Sequence, residues 1–368
     1  MSLPEPDFIA RDPQAITQEI IAHYEQLTGK TLYPAQVERV LIDVIAYRET
    51  LVRIGIQEAA KQNLLAFARA PMIDYLGELV GVTRLPAIAA RTTLQFVLKA
   101  PRATSLLIPA GTRVDGADGK VIFAADQAVT LAAGALTVDA AATCEEPGAD
   151  GNGWQPGQIT NLVDEIDDVD LAVANTIVTS AGAAEELDDR LRERIKLAPE
   201  AYSTAGSRLA YVFHAKSAHQ DIVDVAVISP EPGVVHLYPL MATGLPDANI
   251  LSLVEAKCSG EKVRPLTDNV KAKVPESVDY FIDVELELYK ETDADSVVTL
   301  ALEAAEAYKA QRAAGLGRDI VPVQLESAIK VAGVYDITRQ QPSKIVLAAH
   351  QWANCTGINV VVTGEADG

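Results

Sequence analysis

The chain has 368 residues, 49% hydrophobic and 22% charged, a globular composition with room for two or three separate cores. Its net charge is −20 and the excess acid is spread along the chain, so it lacks the basic footprint a nucleic-acid binder needs and is repelled by anionic membranes. Cys144, Cys258 and Cys355 are odd in number and far apart, which excludes a disulfide framework and points to a reducing compartment at synthesis.

The opening MSLPEPDFIARDP is acidic and broken by prolines, so it does not read as a signal peptide. No apolar run reaches the roughly 18 residues of a membrane-spanning helix. Up to about Leu85 the pattern is helical. A first helix is expected at Gln14–Leu27. From Pro34 to Ala68 there is no interior proline, and apolar residues recur at gaps of three and four: Val37, Val40, Leu41, Val44, Ile45, Leu51, Val52, Ile56, then Leu64 and Phe67. A continuous helix there would be roughly 50 Å long at about 1.5 Å per residue. Such a rod buries its stripe mainly against other long helices, often on another chain, so Val37, Leu41, Val44, Leu51 and Val52 are candidate assembly residues. A third helix is expected at Pro71–Val80.

From Ala90 to about Ser180 short β runs alternate with turn residues: Thr92–Lys99, Ser105–Ile108, Thr112–Val114, Val121–Ala124, Ala128–Leu131, Leu136–Val138 and Thr176–Thr179. They predict a small sandwich or barrel. The loop Glu145–Gly157 has no periodicity and reads as an exposed excursion. Beyond it, helix and strand alternate. Glu185–Ile195 predicts a helix with acids first and arginines last, giving Glu186–Arg190 and Asp188–Arg192 pairs. A helix at Ser207–Ala218, strands at Ile222–Ser229 and Val234–Leu240, and a helix at Ala248–Lys257 follow. Val278–Tyr289 alternates most cleanly, with Asp279, Asp283, Glu285 and Glu287 on one face. Four like charges there must be solvated or meet a neighbouring subunit, so Asp283 and Glu285 join the candidate interface. Helices at Ala294–Ala314 and Pro322–Val331 and strands at Val334–Thr338 and Ile358–Val362 complete the chain. The predicted fold class is α+β and multidomain: an N-terminal long-helix region (1–88), a small all-β module (89–181) and a C-terminal α+β open-sheet sandwich (182–368) mediating protomer contacts.

No constellation of catalytic residues stands out. His214 and His219 are five apart, with no glutamate between them, unlike a zinc-protease helix. The cysteines form no CxxC and read as small buried hydrophobes. The acidic run Asp164, Glu165, Asp167, Asp168, Asp170 lacks the glycine and closing glutamate of a calcium loop and reads as a solvated linker. Gly148, Gly151 and Gly153 lead into neither a lysine nor a helix, so they make no phosphate loop. The expectation is no enzyme, no cofactor and no metal.

Several stretches resemble one family, the baseplate J-like proteins of contractile phage tails and phage-derived tail particles. They are LPEPDFIARDP, LYPAQVERVLIDVIAYRETLVR, QNLLAFARAPMIDYLGELVGVTRLPA, IPAGTRV, AEELDDRLRERIKLAPEAYSTAG, VDVAVISPEPGVVHLY, VRPLTDNVKAKVPESVDYFIDVELELY and QWANCTGINV. They occur in the family's order over nearly the whole chain. One departure is Ala181-Gly182, where a double glycine is common. The resemblance implies a structural wedge protein of the tail baseplate, synthesised in the bacterial cytoplasm. It implies two copies per wedge and a six-fold ring around the tail hub, whose rearrangement precedes sheath contraction. The implied partners are a second copy, the I-type tail protein and the W-type protein of lysozyme-like fold, with no nucleic acid and no membrane insertion. Two other readings stay open. One is a carbohydrate- or receptor-binding tail tip using the β-module and its Trp154 loop; the other is an envelope-degrading hydrolase working through paired carboxylates.

Overall fold

A computed structural model describes residues 4–116, 119–164, 166, 169–202, 207–260, 263–265 and 267–367. Of the acidic run, Glu165, Asp167 and Asp168 lie outside the described residues. The chain divides into two compact units, Met1–Arg84 with Leu187–Lys196, and Leu85–Glu186 with Leu197–Gly368.

In the first unit, α1 (Pro13–Thr28) starts where the Asp12 side chain accepts the Gln14 N–H, with Pro13 in the first turn, and stops at Gly29 in the left-handed conformation. α2 (Val37–Lys61) is 25 residues, not the thirty-five expected. After Lys61 the backbone closes i→i+3 turns, Leu64 N to Lys61 O and Phe67 N to Leu64 O, both 2.9 Å. The Asn63 side chain donates to the Ala59 carbonyl (3.0 Å) and stops the ladder. Because these turns keep a three-residue spacing, Leu64 and Phe67 continue the apolar period after the helix has ended. α3 (Met72–Glu78) follows. α4 (Asp188–Leu197) contributes most of its length to this unit although it lies over a hundred residues away in sequence. Arg84 joins them, donating to Asp74 on α3 (2.8 Å) and Asp188 on α4 (2.7 Å). Arg192 donates to the carbonyls of Leu65 (2.8 Å) and Ala68 (2.7 Å). The expected pairs Glu186–Arg190 and Asp188–Arg192 do not form. Asp188 is taken by Arg84, Arg192 pairs with Asp189, Arg190 pairs with Glu193, and Glu186 accepts the Leu85 N–H. Tertiary partners take the two acids, and the two arginines pair at i,i+3 on their own helix.

The second unit begins with β1 (Arg91–Leu98), β2 (Leu106–Ile108), β3 (Arg113–Gly116), β4 (Ile122–Ala125), β5 (Val129–Leu131), β6 (Thr137–Cys144), β7 (Ile159–Leu162) and β8 (Leu171–Asn175). Six form one antiparallel sheet in the order β7-β3-β4-β6-β1-β8, while β2 and β5 make a separate ribbon. Alternate residues point inward to a core that includes Phe96, Phe123, Ile108, Val114 and Ile159. β7 and β8 were not expected, and Thr176–Thr179 is not a strand. The Asn175 side chain explains both. It is buried and accepts the N–H groups of Gln158 and Ile159, both 3.0 Å, at the start of β7. It also donates to the carbonyls of Gln155 (3.0 Å) and Ile177 (2.9 Å). One amide thus ties the two terminal strands of the sheet into a nearly closed barrel and turns the chain away after β8.

The barrel's ends meet: Ile88 and Ala183 exchange two backbone hydrogen bonds of 2.8 Å. Beside them a Cβ on Gly182 would lie 2.4 Å from the Gly148 carbonyl oxygen, so only glycine fits. Its neighbour Ala181 has φ 66°, a left-handed conformation that glycine adopts more readily. The 145–157 loop is largely exposed, as expected, and is anchored at its middle. The Asn152 amide donates to Gly182 O (2.7 Å) and accepts from Gly182 N (2.8 Å), and Gly151 is buried. Since chain entry and exit are adjacent and the barrel core is drawn from residues 90–173, excising 90–180 and joining the ends should leave the remainder folded. Circular dichroism and a cooperative melt of the shortened protein check this; loss of secondary structure beyond the barrel's share would contradict it.

The rest is α+β on two three-stranded sheets. α5 (Arg208–Lys216) and α6 (Ala248–Cys258) accompany β9 (Ile222–Ile228), β10 (Val234–Met241) and β11 (Asn269–Ala272) in the order β11-β10-β9. The core here holds Tyr211, Leu237, Val254 and Cys258. The second sheet, β13-β12-β14, has β12 (Glu276–Tyr289) central, with α7 (Ala294–Ala313) and α8 (Pro322–Ile329) on one face and β13 (Val334–Gln341) and β14 (Gln351–Ala366) flanking it. β14 pairs parallel to β12 and is far longer than the expected Ile358–Val362. Residues 363–366 carry a Thr-Gly and an acid, which local apolarity does not mark as strand.

Candidate assembly surface

α2 is built inside out. The side chains it buries are Ile42, Ala46, Thr50 and Gln57, a narrow and half-polar stripe. Thr50 is satisfied by the Ala46 carbonyl (2.8 Å). Gln57 holds the extended segment before α1, accepting from Phe8 N (2.9 Å) and donating to Pro6 O (2.7 Å). Arg53 donates to Ala10 O (3.1 Å) and pairs with Glu49, and Lys61 reaches Glu5 (3.1 Å). Thr50, Arg53, Gln57 and Lys61 therefore face the fold, while Glu38, Asp43 and Arg48 are exposed.

The large apolar side chains face out. Val37, Val40, Val44, Tyr47, Leu51 and Ile54 follow one another at alternating steps of three and four and are between 41% and 73% exposed. This is the a/d spacing of a coiled-coil seam over nearly three heptads. Leu41, Ile45, Val52 and Ile56 widen the exposed face. Monomeric proteins rarely expose contiguous apolar patches of large extent, so this face is the candidate assembly surface. All five apolar candidates from the sequence lie on it. Tyr47 and Ile54 were not singled out there, although strict counting of the seven-residue repeat finds them.

Asp283 and Glu285 lie elsewhere, on the open face of the β12 sheet, with buried Val284 and Leu286 between and beyond them pointing to α7 and α8. The carboxylates of Asp279 and Asp283 accept from the amides of Asn354 and Asn359 on β14, both 2.8 Å. The Asn354 amide and the Ser277 hydroxyl hold the Asp279 carboxyl below the usual carboxylate range. Much of the acidic face is thus hydrogen-bonded within the chain.

The remaining sequence candidates are structural. Burial pushes the Cys258 thiol up to about 12 and raises Cys144 as well, so neither is a thiolate nucleophile at neutral pH. Trp154 is half-buried, packing on Gly116 against the barrel core. Among the described residues no group of three or more His, Cys, Asp or Glu is placed to hold a metal ion. His219 is buried, and its Nδ1 accepts the Asp221 N–H (3.2 Å). Burial holds its pKa below the ordinary value, outweighing the nearby Asp221 and Asp247; burial and Lys257 do the same for His214. A histidine whose folded pKa is depressed contributes stability that is present above its unfolded pKa of about 6.5 and lost as pH falls. The melting temperature should therefore drop between about pH 7 and pH 5, and His219→Asn, whose amide oxygen can take the Asp221 N–H, should show a shallower drop. Equal slopes in thermal melts across that range would rule this out.

An assembly of independent modules carrying an outward coiled-coil seam defines a multidomain structural protein. Models of four baseplate J-like domains match it in chain order: the N-terminal domain at residues 39–90, the barrel domain at 93–182, the central domain at 203–274 and the C-terminal domain at 280–361. The chain belongs to the baseplate J-like family, and that membership makes it a structural protein of the phage-tail baseplate. Baseplate protein J of Escherichia phage P2 is 35% identical over 187 residues, which is 50% of this chain and 61% of that protein, under two thirds of its length. A chain of the anti-feeding prophage baseplate, seen by cryo-EM with six-fold symmetrisation, aligns over 93% of this chain and 90% of its own at 12% identity and a TM-score of 0.45. Among the described residues no helix is long and apolar enough to cross a membrane.

Proposed function

We propose that this protein is a wedge component of the baseplate, joined to its neighbours through the outward face of α2. The carrying observation is the seam itself, with six apolar side chains at heptad spacing all exposed on a helix that buries only Ile42, Ala46, Thr50 and Gln57. A helix of this kind completes its packing in a bundle with helices of other chains. In this reading one copy meets a second within a wedge, wedges close into a six-fold ring around the hub, and the ring's rearrangement precedes contraction. The W-type and I-type baseplate proteins are the expected further partners. In this reading the work is contact: the buried Cys144 and Cys258 thiols, the amide-bound carboxylates of Asp279 and Asp283 and the acidity of the chain support it. Limited proteolysis tests the reading. Expressed alone, the protein should self-associate or be cut before about Leu85; co-expressed with the neighbouring baseplate proteins, that segment should be protected. A monomer resistant to protease in isolation would sink it.

A further inference from the structure

The β12 sheet has two edges of unlike character. β13 is eight residues long, carries Asp336 and Arg339, and runs into Pro342. Those are the usual devices that stop a sheet edge from pairing further. β14 is sixteen residues long, and its only charged side chain is Glu365; it has no lysine, arginine or proline. It pairs with β12 alone. Among the described residues, no backbone group from Trp352 to Glu365 forms a backbone hydrogen bond outside that pairing.

What shapes this edge is a repeated dipeptide. The register slips twice, at Thr356-Gly357 and at Thr363-Gly364, seven residues apart. The Thr356 hydroxyl donates to Tyr280 O (3.1 Å) and the Thr363 hydroxyl to Leu286 O (3.4 Å), so each bulge is stapled to β12. The Phe281 ring covers Gly357, where a Cβ would lie 2.6 Å from it. The bulges are thus fixed on the β12 side, and among the described residues the outer side carries no backbone hydrogen bond. Ile358 and Val360 pack only partly against the core, and Val361 and Val362 are exposed.

Charge decides what kind of strand would fit. On the open face Asp279, Asp283, Glu285 and Glu287 form a row along β12, and among the described residues none has a cationic partner. An added strand would lie two strand spacings, about 10 Å, from β12. Lysine or arginine side chains on its open face can reach along that distance, and Gly364, opposite Glu287, leaves a gap in the intervening row. Its other face would meet the apolar row of Ile358, Val360 and Val362. We infer that β14 is a strand-addition site that takes an extended segment of another chain in which apolar and basic residues alternate. A second copy is the poorer occupant, since pairing β14 with itself brings two acidic faces into one sheet. This inference does not rest on α2 or on the baseplate role.

The test uses the full-length protein and three seven-residue peptides. One alternates lysine with valine, one alternates glutamate with valine, and the third is the lysine peptide with alternate backbone nitrogens methylated. Binding is read by fluorescence anisotropy at low salt, and its location by amide exchange. The lysine peptide should bind and slow exchange within residues 351–366. The glutamate peptide should bind at least about tenfold more weakly, since charge complementarity sets specificity. The methylated peptide, with its charge intact and its donors removed, should not bind. Asp283→Asn combined with Glu285→Gln, both on the open face, should bring the first two peptides within about twofold. Equal binding of the methylated peptide, no preference between the charged peptides, or protection elsewhere would overturn the inference. So would exchange at 351–366 that slows with protein concentration alone, which would assign the edge to a second copy.

Discussion

Glutamate at both Val44 and Leu51 should leave this protein folded but unable to join a baseplate. Both side chains are exposed, Val44 57% and Leu51 41%, so within the isolated chain the substitutions remove little packing and cost about 0.5 kcal/mol or less each. In a helical bundle the same positions are a-type knobs. Each substitution then forfeits roughly 1.5–3 kcal/mol of apolar burial and adds the cost of desolvating a carboxylate. Two such losses exceed about 4 kcal/mol, a weakening of roughly a thousandfold. Co-purification with the neighbouring baseplate proteins, and particle counts by electron microscopy, should fall to background with an unchanged far-ultraviolet spectrum. Glu38→Gln, also on α2 but off the seam, is the matched control. Assembly at the normal level in the double variant would refute a role for this face.

Asn175→Ala should cost the barrel about 3 kcal/mol. The side chain is 2% exposed and satisfies two N–H groups and at least two carbonyls at the seam between β7 and β8. Truncation strands buried donors and acceptors, at about 1–3 kcal/mol for each group that water cannot reach. At 4–8 °C per kcal/mol for a domain of 60–100 residues, the barrel transition should move down by roughly 12–24 °C. Asn175→Asp separates hydrogen bonding from packing. Its carboxylate can take the Gln158 and Ile159 N–H groups but faces the Gln155 and Ile177 carbonyls, so it should be destabilised as well despite its equal size. A small shift in either variant, read by calorimetry, would show that the seam is closed by packing instead.

The parts of the fold read most directly are those whose signal is local. β12 shows strict alternation, α1 and α7 have their caps and period, and the boundaries there match within a few residues. β7, β8 and β11 were missed because each is four or five residues long and is held by its neighbours, Asn175 above all in the case of the first two. The α2 seam was legible because an unpartnered stripe depends only on helical spacing. The placement of α4 was not, since it rests on Arg84, Arg192 and Arg194 finding Asp74, Asp188 and three backbone carbonyls far away in sequence.

By itself the sequence determined the class of fold, the family, and the apolar stripe of α2 on which Val37, Leu41, Val44, Leu51 and Val52 lie exposed. Periodicity, turn residues and the order of motifs are properties of neighbouring positions. Only the tertiary structure decided that α2 buries Thr50 and Gln57, that the helix ends at Lys61, that one asparagine closes the barrel, and that β14 runs sixteen residues with an open edge. Each of these depends on which distant group satisfies a buried donor or acceptor. A hydrophobic pattern says that a face will be covered; the hydrogen-bond partners across the fold decide by what.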